Sequence, residues 1–134
     1  MKIWRGFGSE HSANLVMIGH FESASEASKA KDIIDRLTEQ VLSDVEAKLM
    51  AVDRQTDKFT DRMLELLQKL GVYILAPAEL EQFDYEAKVQ LDGNKVVVTT
   101  DEVDVSAFFK VLFDQGAKVE IYSAHQHEGT GYGR

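Results

Sequence analysis

Residues 85–124 read YEAKVQLDGNKVVVTTDEVDVSAFFKVLFDQGAKVEIYSA, and this stretch decides the fold. Glu86–Leu91 alternates polar and apolar side chains, the habit of an edge strand with one wet face. Asp92-Gly93-Asn94 reads as a hairpin turn, because Asp-Gly and Gly-Asn both accept the positive φ such turns need. Lys95–Thr100 is rich in β-branched residues and predicts the returning strand. A helix is expected from near Asp104 to Gly116, burying Val105, Phe108, Val111 and Leu112, and then a last strand over Lys118–Ala124.

Upstream, Leu15–Phe21 is apolar on both faces until His20, which suits an interior strand covered on both sides. The helix after it opens on a capping box, Ser23 and Glu26. Its apolar stripe runs through Ala27, Ala30, Ile34, Leu37, Val41, Val45 and Leu49, and the length of that pattern suggests a break near Asp44. Phe59, Met63, Leu66, Leu67 and Leu70 mark a second helix that stops at Gly71. It is extra to the basic plan and is expected to cover the second sheet face or to form an oligomer contact. Val72–Leu75 reads as a short strand, and Pro77 as the start of a helical turn through Leu80. Lys2–Phe7 reads as another short strand, followed by a polar loop from Gly8 to Asn14. The order β-α-β-β-α-β is the split-βαβ or ferredoxin-like plan: an α+β fold with an antiparallel sheet, an extra helix and an N-terminal arm. One domain over 1–134 is expected, with a frayed tail from about 126.

Composition narrows the function classes. With 134 residues, 44% hydrophobic and 28% charged, the chain can bury a single ordinary core. It has no Cys, which excludes disulfide scaffolds, thiolate metal sites and thiol catalysis. The 15 Lys and Arg are scattered among 23 acids, for a net charge of −8. Nucleic-acid binding needs a basic footprint to neutralise phosphates, so no nucleic-acid partner is expected. Neither a signal-peptide h-region nor a bilayer-spanning apolar run is present, so a cytoplasmic protein with no membrane partner is the expectation.

In the split-βαβ order the start of the first strand, the end of the third and the end of the fourth share one sheet edge. That convergence makes His11, His125, His127, Asp101 and Asp104 candidate ligands for a divalent transition metal such as zinc or manganese. Glu10 is then the candidate general base, and Ser9, Ser12 and Trp4 the candidate ligand or partner contacts. The plainer reading of Asp101 and Asp104 is that acids belong at a helix N-terminus, where they cap it or meet its dipole. His125-Gln126-His127 has the spacing that puts two rings on one side of an extended segment, but no H-E-x-x-H occurs. There is also no P-loop, nucleophile elbow or dinucleotide fingerprint.

The segments Lys2-Ile3-Trp4, Gly6-Phe7-Gly8-Ser9-Glu10-His11-Ser12 and Asn14-Leu15-Val16-Met17-Ile18-Gly19 resemble an uncharacterised bacterial family, a domain of unknown function. Thr99–Ala107 and Gly116–Glu120 look similar too. The resemblance implies no activity, cofactor or site residue. From the residues themselves, the expectation is a non-catalytic acidic protein that binds a partner or small ligand, as a homodimer. The rival is a small metal-dependent hydrolase in which Glu10 acts on metal-bound water.

Overall fold

The structure, a computed structural model, describes residues 14–47 and 58–123. The expected arm over Lys2–Phe7, the loop after it, Leu49 and the tail lie outside the described residues. Four strands, β1 (Leu15–His20), β2 (Ala87–Asp92), β3 (Lys95–Thr100) and β4 (Lys118–Ser123), form one antiparallel sheet in the order β2-β3-β1-β4. Interleaved with them are α1 (Ala24–Glu46), α2 (Asp61–Leu70), a 3-10 helix (Pro77–Asp84) and α3 (Ser106–Asp114). The chain is therefore a mixed α and β protein with its helices inserted between antiparallel strands.

β1 is interior because both of its faces are apolar. Leu15, Val16, Met17 and Ile18 are all buried, and β1 pairs with β3 on one side and β4 on the other. β2 alternates and keeps Lys88 and Gln90 exposed, as a strand at the sheet edge can. Gly93 alone takes a positive φ in the two-residue turn, 62°, which is the demand of a type II′ hairpin. Asn94 then ties that turn to the end of β1: its Nδ2 donates to the Phe21 carbonyl at 2.7 Å and its carbonyl accepts from the Phe21 N–H at 2.9 Å.

α1 starts where its cap predicts, with Ser23 Oγ accepting from the Glu26 N–H at 3.2 Å. It ends at Glu46, close to the break expected near Asp44. That residue is 1% exposed, and its carboxylate accepts from Gln40 Nε2 at 2.9 Å and from Thr60 Oγ1 at 2.7 Å. Thr60 is in turn the N-cap of α2, accepting from the Met63 N–H at 3.1 Å. One buried carboxylate thus joins the end of one helix to the start of the next.

This joint decides where α2 goes. Met63 and Leu67 share a core with Met17, Ile34, Leu37, Val98 and Phe108, so α2 lies in the helical layer beside α1 and does not cover the second sheet face. On that second face Val16, Ile18 and Val97 form a separate buried cluster flanked by Tyr122, with no contribution from a described helix. Val72–Leu75 is not a strand: Val72 and Leu75 are buried while Tyr73 is 77% exposed, and the segment leads into the 3-10 helix, which runs past Leu80 to Asp84.

Two stability outcomes follow. Ile18→Asp strands a carboxylate in a buried cluster and should cost about 3–5 kcal/mol, whereas Val89→Asp on edge strand β2 should cost about 1 kcal/mol. Urea melts giving equal losses would contradict the interior and edge assignments. Asp44→Ala should lose about 2 kcal/mol in the same assay, since it deletes two hydrogen bonds to a buried charged acceptor.

Candidate functional site

α3 begins without a cap of its own. Val105 stands at its N-cap position and offers no side-chain oxygen. The missing acceptor comes from the 3-10 helix, where Gln82 Oε1 takes the Ala107 N–H at 2.7 Å. Ser106 Oγ donates to Glu79 Oε2 at 2.6 Å and accepts from Gln82 Nε2 at 3.1 Å. Lys110, one turn further on, donates to Glu79 Oε1 at 2.7 Å. Glu79 Oε1 also accepts the Ala76 N–H at 2.9 Å, so both carboxylate oxygens are engaged. Phe83 packs edge-on against Phe108 beneath this network, with ring centroids 5.1 Å apart.

The other side of α3 is seated by β1. A Cβ at Gly19 would lie 3.2 Å from a Leu112 methyl, so the missing side chain is what lets the helix sit this close to the strand. With α3 held at both contacts, a cleft of about 550 Å³ remains between its outer flank and β4. Leu15, Val103, Val105, Phe109, Val119 and Ile121 make its apolar walls, and Asp104 and Ser106 are its polar groups. Phe109 stacks on Phe113 at 5.9 Å, which extends the aromatic wall outward to a ring that is 58% exposed.

The electrostatics separate two sides of α3. Burial pushes the Glu79 carboxyl up, but hydrogen bonds from Lys110, Ser106 and the Ala76 N–H, with the charge of Lys110, outweigh it and hold the group below the ordinary carboxylate value. A carboxylate stabilised in this way is a poor proton acceptor, so Ser106 is anchored rather than activated as a nucleophile. Burial pushes the Tyr85 phenol up, helped by the negative charges of Glu81, Asp104 and Glu102. Of these acids, Asp104 is the one in the described lining of the cleft.

Of the residues singled out from sequence, only Asp101 and Asp104 are described. Trp4, Ser9, Glu10, His11, Ser12, His125 and His127 lie outside the described residues, and among those described no group of three or more His, Asp or Glu is arranged to hold a metal. The register does bring the expected strand ends together, since Leu15 faces Thr100 on one side and Ser123 on the other, with Asp101 next along the chain. Asp104 is not the cap of α3; it lies two residues before the helix and lines the cleft. Gln82, which does the capping, sits 25 residues away and carries no local signal. Glu79 had one, a carboxylate three residues after Ala76 at the start of a Pro-opened turn.

Fold and site together define an α and β protein with its described helices on one sheet face and an apolar cleft beside strand β4. The chain belongs to a family of unknown function (DUF6375), whose model matches residues 1–134. Comparison with curated proteins and with solved structures finds no match. Among the described residues no helix is long and apolar enough to cross a membrane.

The Glu79 contacts have a pH signature. Because its folded pKa is depressed, its contribution is complete above the ordinary value of 4.5 and is lost as pH falls through the folded value. Glu79→Gln should therefore cost about 1–3 kcal/mol at pH 7, and the gap to wild type should close in melts run well below pH 4.5. A gap that stays constant with pH would mean the charge is not what holds α3.

Proposed function

We propose that this protein is a non-catalytic binding module that takes a small, mostly apolar ligand in the cleft between α3 and β4. One observation carries the reading: a cleft of about 550 Å³ with six apolar residues among the eight described residues that line it. That volume falls within the roughly 300–1,000 Å³ of small-molecule sites, which are characteristically apolar with a few polar groups. The chemistry of the walls favours binding over reaction. The serine in the lining is tied to a carboxylate that is already stabilised as an anion, and no histidine is among the described lining residues. The ferredoxin-like plan is part of the same proposal, supported by the antiparallel order β2-β3-β1-β4, which reads 4-1-3-2 from the opposite edge. A homodimer belongs to it too, on the strength of the exposed Phe113 ring beside the cleft. Sedimentation at micromolar concentration reads that part separately.

The test is calorimetric titration of the full chain with n-octanol, against the same titration of Ile121→Asp. Ile121 is only partly buried, so the substitution is tolerable in the fold, and a melt checks that it is. Wild type should bind the alcohol, and the variant should bind it at least about tenfold more weakly, the effect of a carboxylate set into an apolar wall. Equal affinities would remove the cleft from the account.

A further inference from the structure

Both polar side chains among the described residues of the lining act as acceptors. Asp104 brings a carboxylate, which accepts and does not donate. Ser106 looks ambivalent, but its one hydroxyl hydrogen is committed to Glu79 Oε2 at 2.6 Å, and one of its lone pairs takes the Gln82 Nε2 hydrogen at 3.1 Å. What it has left for a ligand is a lone pair. No Lys, Arg or His is among the described residues of the lining, and the nearest lysine along α3, Lys110, is spent on Glu79 at 2.7 Å. Toward a ligand in the apolar volume, these two side chains therefore favour a group that donates.

Resting on the cleft-binding reading above, we propose that the ligand is an amphipathic cation, an alkyl- or arylammonium compound. Its apolar body packs on Leu15, Phe109, Val119 and Ile121, and its ammonium group meets the Asp104 carboxylate and the free lone pair of Ser106. The aromatic ring of Phe109 adds a cation–π partner to the same lining. Glu81 and Glu102 add their charges to that of Asp104 in raising the Tyr85 phenol. The chain's net charge of −8 acts in the same direction at longer range, drawing cations in and turning carboxylate amphiphiles away. A fatty acid of the same chain length would set its carboxylate against that of Asp104, with no donating side chain among the described residues of the lining.

The experiment is a calorimetric comparison of n-octylammonium, n-octanol and n-octanoate with the full chain at pH 7 and low salt, repeated on Asp104→Asn. Asp104 is exposed and outside the helix caps, so the variant should melt as wild type does. The expected order is octylammonium tightest, by about tenfold over octanol, with octanoate weakest. Asp104→Asn should erase the preference for ammonium over octanol. Equal affinity for all three ligands, or a preference that survives Asp104→Asn, would overturn the cationic assignment while the cleft reading stands. No binding by any of the three would overturn both.

Discussion

A strand that is apolar on both faces can only be interior, and β1 is such a strand. Burying Leu15, Val16, Met17 and Ile18 together requires a neighbour on each side and cover above and below. β3 and β4 satisfy the first requirement, and their register with β1 brings Thr100, Leu15 and Ser123 abreast at one end of the sheet. The cleft stands on that constraint. Leu15 is part of its floor, Val119 and Ile121 come from the strand paired beside it, and the segment after β3 supplies Val103 and Asp104.

The second constraint is polar. α3 closes the cleft on its inner side, and it is held against the 3-10 helix by a set of hydrogen bonds in which each member has a partner. Glu79 receives three donors, Gln82 serves both the Ala107 N–H and Ser106, and Lys110 neutralises the carboxylate. Partly buried networks of this kind are costly when any member is left unpaired, which makes the position of α3 specific rather than merely sticky. The same bonding has a consequence for chemistry. It removes the Ser106 proton from use and leaves that side chain an acceptor, so the network that positions the helix also bears on the polarity of the site.

Much of this architecture was legible in the chain. Alternation in Glu86–Leu91, the Gly93 turn and the two-sided run at Leu15–Ile18 each follow from side-chain periods of two residues and from turn chemistry, which are local properties. The misreadings are non-local. The contact that Asp44 makes carries no local signal, since its partner Thr60 is 16 residues away. α2 looked free to cross to the second sheet face until that same contact tied it to α1. Asp104 was weighed as a metal ligand and as a helix cap; it is not the cap, because Gln82 reaches across from another element, and its place in the lining depends on β4. The histidine-bearing part of the expected rim falls outside the described residues, so the sheet edge rather than the side chains is what the structure contributes there.

The central claim is that an apolar ligand sits between α3 and β4, and its location can be read directly. Intermolecular nuclear Overhauser effects between bound n-octylammonium and methyl-labelled full-length protein report which side chains touch the alkyl body. The account predicts contacts to the methyls of Leu15, Val119 and Ile121 and to the Phe109 ring. Contacts confined to Val16, Ile18 and Val97 on the other sheet face, or to Leu64 on α2, would contradict it.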